Sequence, residues 1–497
     1  MRKMKKLLIL AAIAAITGNA SAAIWQGGAN DLWENTGNWD IAALPGATDP
    51  VEIYDSISSG NSPRITAPGA VAGAMTLGRF DSFGQLTVDA AGTLAAGGVF
   101  LMAESPTDTA LVVNNGQIDV ASIAYMHTGT STMINNGTFD SDAFIMAHFD
   151  AGSISTVTNS GTLTSGGDFN MHKGTATVVN KVGGTINSVG NFLLAHEPGS
   201  TSTVINKGSI NTGTAATYIH QGSGILVNEG TWDTPVAIFA HLGGSSATIT
   251  NSGNMTINVW CAPAVAGDTH FTVTSGTVHC ADLNYGPVGG NPDTGTCHLQ
   301  LNGGTFRADI VGFADDPDYT IDVEEGIFIA GSNYVEVINF LASEGRITAY
   351  GGAGVLFVDY DAGSEETTIS AKLANYATWA ADWGVDIGSE LANYDGDSLD
   401  NLSEYGLGGD PTNSADLGHV PVFENDGGGM IYIHAQRTDD QNLAYWLETT
   451  ENLSIPSWAN SGYSVVATNV TGGLFDFVTN SVPTTADENF IRLRIEQ

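Results

Sequence analysis

Short alternating segments dominate this chain. Ser155-Thr156-Val157-Thr158, Ala176-Thr177-Val178-Val179 and Thr203-Val204-Ile205 set polar against apolar positions with a period of two, and each is rich in β-branched side chains. The pattern predicts strands of three to five residues separated by turns. The turns themselves recur. Gly69, Gly92, Gly116, Gly137, Gly161, Gly184, Gly208, Gly230, Gly253, Gly276, Gly304 and Gly326 follow one another about every 23 residues. An apolar residue stands two places after each: Val71, Leu94, Ile118, Phe139, Leu163, Ile186, Ile210, Trp232, Met255, Val278, Phe306 and Phe328. Asparagine stands two places before many of them, at Asn114, Asn135, Asn159, Asn206, Asn228, Asn251 and Asn302. Asn tolerates a left-handed turn, and stacked Asn amides bond along a column.

Helical repeats of this length would need roughly 10 to 15 residues of 3.6-period pattern in each repeat, and none is present. A propeller blade needs roughly 40 residues. Three short strands and three turns per coil instead predict an all-β chain built on a right-handed parallel β-helix over residues 65–370, capped by 23–64. At strand spacing its glycine intervals span about 50 Å. The coil pattern decays after Gly326, and Ala371 to Gly384 turns to an Ala/Leu/Trp composition with helical periodicity. Residues 371–418 are expected to form a helical linker around an acidic loop. Short strands return over 419–497, including Met430 to Ile433, Ala444 to Glu448 and Phe490 to Ile495, and predict a small antiparallel β-sandwich.

One column carries candidate chemistry. His127, His148, His172, His196, His220 and His241 recur at steps of 21, 24, 24, 24 and 21 residues, and Glu104 holds the same offset one coil earlier. Equal positions of successive coils stack, so the imidazoles should lie about 5 Å apart. Three readings stay open: caps that bond the turns, a metal-binding strip for Zn²⁺, Cu²⁺ or Ni²⁺, and catalysis. Close imidazoles cannot all charge near pH 6, so acid should destabilise the solenoid before the C-terminal region, and replacing His148, His172 and His196 by Asn should remove that sensitivity.

Composition narrows the setting. Arg2, Lys3, Lys5 and Lys6 precede the apolar run Leu7 to Ile16, and Ala20-Ser21-Ala22 offers small residues for cleavage, which predicts a signal peptide over 1–22. The protein is expected to be secreted or held at the outer cell surface. No later stretch reaches the roughly 18 apolar residues of a membrane helix. With 15 Lys and Arg against 53 Asp and Glu, the formal charge is −38, which argues against nucleic acid and anionic membranes as partners and favours divalent cations. Of the three cysteines, Cys280 and Cys297 bracket the Gly/Pro-rich insertion Tyr285 to Gly295 and form the preferred disulfide, with Cys261 left over. The alternative is three buried free thiols.

Two stretches resemble known families. Ile24-Trp25-Gln26-Gly27-Gly28, Trp33, Asn38-Trp39, Pro45 and Asp49 resemble the first strands of secreted, autotransporter-like β-solenoid proteins, which carry a W-x-G-G, W, N-W, P, D pattern. Read from the residues alone, Trp25, Trp33 and Trp39 cover the exposed end of the first coil, with sugar binding as the alternative.

The second stretch is the acidic loop. Counting Asn393 as position 1 puts Asp395 at 3, Asp397 at 5, the Leu399 carbonyl at 7, Asn401 at 9 and Glu404 at 12, the ligand spacing of an EF-hand-type Ca²⁺ loop. Asn at position 1 and Ser398 in place of the turn glycine depart from that pattern. The loop resembles the calcium motifs of dockerin-like and thrombospondin type 3-like modules. The tail from Trp379 to Arg494 resembles a C-terminal module of large exported proteins of environmental bacteria, which implies export or surface display. A structural calcium ion is expected to rigidify the joint between rod and tail.

Parallel β-helices with the pectin lyase-like fold host lyases and polygalacturonases, so an enzyme must be weighed. Lyases pair Ca²⁺-binding carboxylates with a basic residue, and hydrolases need two close carboxylates. Between Gly69 and Glu344 the basic residues are Arg79, Lys173, Lys181, Lys207 and Arg307, none beside a carboxylate cluster in sequence. Asp315-Asp316-Pro317-Asp318 reads as a turn, and no G-H-G or R-I-K constellation is present. The expected function is therefore a non-enzymatic structural or adhesive protein associated with extracellular polysaccharide or the cell surface, and the runner-up is a polysaccharide lyase or hydrolase.

Overall fold

The computed structural model describes residues 21–54, 61–284, 295–312, 318–425, 429–471, 473–483 and 488–497. The expected signal peptide, the insertion before Gly295 and Asp315 to Pro317 therefore fall wholly or mostly outside the described residues. Two compact units divide the chain, one formed mainly by residues up to 321 and the other mainly by residues from 369 onward.

The first unit is a parallel β-solenoid of about 23 residues per turn. One coil runs through Ile154–Asn159, Thr162–Ser165 and Phe169–Met171, the three expected strands. Each pairs in parallel with its counterpart in the next coil, Thr175–Asn180, Thr185–Ser188 and Phe192–Leu194. In other coils the second and third strands merge into one bent strand, as in Gln117–Met126 and Asn254–Ala262.

The core is a stack of equal positions. Leu94, Ile118, Phe139, Leu163, Ile186 and Ile210 are fully buried, and Phe169 stacks on Phe192 with ring centroids 4.7 Å apart. The glycine rule fails only in the first coil, where Ala70 pairs with Leu94 and Val71 stays half-buried. At the turns from Gly92 onward, the requirement for glycine is one of space. A Cβ on Gly161 would sit 2.0 Å from the carbonyl oxygen of Gly137 in the coil before.

The asparagines form an amide ladder rather than left-handed turns. Nδ2 of Asn114, Asn135, Asn159, Asn180, Asn206 and Asn228 each donates to Oδ1 of the next member, at 2.7–2.8 Å, ending at Asn251. Asn180 belongs to this column although two extra residues separate it from its glycine. Asn302 does not, because Val273 and Leu301 occupy the column after Asn251.

Trp25, Trp33 and Trp39 are buried and pack edge to face at 5.1 and 4.6 Å, so their faces are closed to a sugar. The expected disulfide is not formed. Cys280 lies on the strand Thr277–Asn284 opposite Ile257 and Ala308, whereas Cys297 lies on Thr296–Leu301 in the other sheet, opposite Thr269. All three cysteines are buried free thiols, and Cys280 Sγ donates to the Asp282 carbonyl at 3.1 Å.

The second unit contains the helices Tyr376–Asp382 and Asn401–Leu407 and two antiparallel sheets. Tyr432 and Val482 from one sheet pack on Leu447 of the other, with Ile491 and Leu493 alongside. Among the described residues no helix is long and apolar enough to cross a membrane.

Candidate metal sites

The acidic loop sits at the start of Asn401–Leu407. Asp400 caps this helix by accepting from the Ser403 N–H, and Gly408 ends it in the left-handed conformation. Tyr405 anchors the helix: it is fully buried, packs on Tyr376 and Trp379, donates to Asp440 at 3.0 Å and lies under the Arg437 guanidinium. That packing carries the preceding residue, Glu404, into the interior with no exposed surface.

Ligand oxygens of Asp395, Asp397 and Glu404 lie within 4.8 Å of one another. Asp395 Oδ2, Asp397 Oδ2 and both carboxylate oxygens of Glu404 are buried with no hydrogen-bond partner. Burial, reinforced by the charges of Asp395, Asp397, Asp410 and Asp400, pushes the Glu404 carboxyl up to about 7. Clustered buried carboxylates without donors are unfavourable unless a cation faces them. An all-oxygen set fits Ca²⁺, a hard ion, so these residues suit the group that the loop's spacing implies.

The other expected ligands stand differently. Asn393 Oδ1 accepts from the Gly396 N–H at 2.6 Å, and the Asn401 amide is held by the carbonyls of Ile387 and Ser389. Leu399 is positioned by its N–H, which donates to Asp397 Oδ1 at 2.6 Å. Asp410, whose charge acts on Glu404, was not among the sequence-derived ligands, because it lies beyond the loop's period in the Gly-Gly-Asp-Pro turn after the helix.

The histidines form the expected ladder. Ring centroids of His127, His148, His172, His196, His220 and His241 follow at 5.6, 4.9, 5.1, 5.0 and 5.0 Å, and every ring is half-buried. Two turn forms alternate along it. Glu104, His148, His196 and His241 each follow an alanine in the left-handed conformation, Ala103, Ala147, Ala195 and Ala240. This is a strained geometry for a residue with a Cβ. Ser155 and Ser202 Oγ accept the N–H groups of Ala147 and Ala195 at 2.9 and 2.8 Å and hold two of these turns.

The intervening histidines cap the neighbouring turn. Nδ1 of His127, His172 and His220 bonds the backbone carbonyls of Glu104, His148 and His196 at 3.1, 2.8 and 3.0 Å. By contrast, Nδ1 of His148 and His241 is buried without a partner. Burial lowers the affinity of the rings for protons, and neighbouring imidazoles add to the effect, taking His148 to about 3 and His196 to about 4. His127, His172 and His241 shift in the same direction, also through burial.

A third feature is a shallow groove of about 440 Å³ on the solenoid, floored by Ala72, Ala96 and Gly97 and lined by Asp119, Asp140 and Asp142. No family model, curated protein or solved structure matches the chain.

Proposed function

We propose that the chain is an exported, non-enzymatic β-solenoid scaffold whose C-terminal unit is held folded by one calcium ion bound at Asp395, Asp397 and Glu404. Its solenoid faces extracellular polysaccharide or cell-surface components. The observation that carries the calcium reading is the set of four buried carboxylate oxygens with no donor around a fully buried Glu404. Bound calcium supplies the charge that those oxygens lack. The chain's own part is to fix the carboxylates: Tyr405 and its packing seat the helix, and Asp397 Oδ1 is oriented by the Leu399 N–H. Export and surface display rest on the basic-then-apolar N-terminus and on the tail's resemblance to exported modules.

The test is thermal unfolding of the full chain after chelation and again with added Ca²⁺. Calcium should raise the transition of the C-terminal unit, Mg²⁺ should do so less, and Glu404→Gln should remove the response. Equal melting with and without Ca²⁺ in the unsubstituted protein overturns the reading.

The groove favours a second reading, a polysaccharide-active enzyme, because small side chains leave room beside three carboxylates. No Lys or Arg lines it, which favours hydrolysis over lyase chemistry. Incubation with acidic and neutral glycans separates the two. Reducing ends released at a catalytic rate, and lost in Asp140→Asn, contradict the scaffold; retention without turnover supports it.

A further inference from the structure

We infer that the imidazole ladder is a second metal-binding feature, a strip that takes borderline divalent transition metals such as Cu²⁺, Ni²⁺ or Zn²⁺ through the outward Nε2 atoms of neighbouring coils. The argument starts from the hydrogen bonds of the other ring nitrogen. A backbone carbonyl only accepts, so Nδ1 of His172 and His220 must carry the proton in the bonds to His148 and His196, while Nδ1 of His127 stands between the Glu104 carbonyl at 3.1 Å and the Thr128 hydroxyl at 2.6 Å. In the neutral ring the lone pair is then on Nε2. An imidazole whose Nδ1–H is held by a carbonyl is the arrangement that orients a metal-ligating histidine and raises its basicity.

Placement agrees with this chemistry. Nδ1 faces inward, and Nε2 of none of the six is among the buried unpartnered atoms, so the free edges reach solvent. Two nitrogens that share an ion at 2.0–2.1 Å bonds lie within about 4 Å of each other. Ring centroids 4.9–5.1 Å apart, with planes inclined at 52–83°, need only a modest tilt to bring the outer edges into that span. Glu197 Oε1 already stands 3.7 Å from His172 Nε2, a separation suited to two ligands of one ion.

In the intervening coils no carbonyl holds the ring: Nδ1 of His148 and His241 is buried without a partner, and at His196 Nδ2 of Asn170 faces Nδ1 at 3.0 Å. Oδ1 of the same amide is buried and unpartnered, and turning the amide presents that oxygen instead, giving His196 the tautomer of its neighbours.

The ladder and the acidic loop sort metals by donor type. Imidazole prefers copper, nickel and zinc, and the carboxylate cluster prefers calcium. Among the described residues the acidic loop supplies the only group of three or more such donors within mutual reach, so an ion on the ladder has two protein ligands and keeps water in its remaining positions. That is a site for uptake and exchange rather than a closed structural centre. The formal charge of −38 raises the local concentration of any cation.

The experiment uses the full chain, stripped with a chelator and titrated with Cu²⁺ at neutral pH in excess Ca²⁺. The expected result is copper whose electron paramagnetic resonance spectrum carries nitrogen hyperfine structure from two imidazoles, at more than one ion per chain. The triple substitution His172→Asn, His196→Asn and His220→Asn should weaken uptake at least about tenfold. Oxygen-only copper, or undiminished nitrogen-ligated copper in the folded triple variant, overturns the proposal. Should the triple variant not fold, carbethoxylation of the unsubstituted protein, mapped by mass spectrometry, gives the answer: Cu²⁺ must protect the ladder peptides, and unprotected ladder histidines overturn it. Because calcium is saturating throughout, failure of the ladder leaves the acidic-loop reading intact.

Discussion

The asparagine and histidine columns run along the same coils at the same period, yet they end in opposite states. Each asparagine from Asn114 to Asn251 is fully buried, and each link of that ladder closes at 2.7–2.8 Å. Along the histidines every ring is half-exposed, Nδ1 of His148 and His241 lacks a partner, and Nε2 of none of the six is buried and unpartnered. Repetition alone therefore does not distinguish structure from function. A column that consumes its own hydrogen-bonding capacity holds the coils together, whereas one that leaves valence outward is available for something else. The acidic loop also carries unconsumed valence, in its case pointing inward at Asp395, Asp397 and Glu404.

The sharpest way to break this contrast is to attack the closed column. Gly161→Ala puts a methyl 2.0 Å from the Gly137 carbonyl, a backbone clash that cannot be relieved by rotating a side chain. Destabilisation of roughly 4 kcal/mol or failure to fold is expected in denaturant unfolding. Asn159→Ala leaves the fit intact but removes the acceptor of Asn135 and the donor to Asn180. It should cost about 2–3 kcal/mol, the penalty for buried groups left unpaired. A near-neutral result there would mean that the amide ladder is incidental to coil stacking.

The acidic loop comes next in size. At a Ca²⁺ concentration 100-fold above its dissociation constant, binding to the native state alone contributes about 2.7 kcal/mol. Asp395→Asn should weaken that gain and Glu404→Gln remove it, each read as the calcium-dependent shift in the unfolding of the C-terminal unit. Neither should move the solenoid transition, which depends on the asparagine column.

Much of this was legible in the sequence because a solenoid repeats its physics. One glycine and one apolar position, read twelve times, with one asparagine, read seven times, were enough to set the coil length and most of the core. The reading failed where a coil departs from the mean. Val71 slipped outward in the first coil, Asn180 hid behind an insertion, and Asn302 followed a column that had already changed to Val273 and Leu301. Cys280 and Cys297 are near in sequence but lie on different sheets, a relation that spacing does not encode. In the acidic loop the period found Asp395, Asp397 and Glu404. It did not find Asp410, and it could not foresee that Asn401 would spend its amide on Ile387 and Ser389.

The smallest effect per residue tests the open column through its protons, with chelator present so that no ion competes. An imidazole in the unfolded chain titrates near 6.5. In the folded chain burial and neighbouring imidazoles take His148 to about 3 and His196 to about 4, against the opposing pull of Glu197 and Asp168 on His196. Between those limits the unfolded chain binds more protons, so this contribution to stability is full above about pH 6.5 and is lost as pH falls toward the folded values. At pH 5 the loss should be about 2 kcal/mol at most for each of these two residues. The triple substitution His148→Asn, His172→Asn and His196→Asn should flatten the solenoid's acid limb relative to the unsubstituted protein, measured as the denaturation midpoint between pH 7 and 4.5. The Asn159→Ala variant, weakened in the closed column, should lose stability at all pH values and keep the same acid slope. If instead both variants show the same slope, the imidazoles carry no proton linkage, and the distinction between a closed and an open column loses its electrostatic basis.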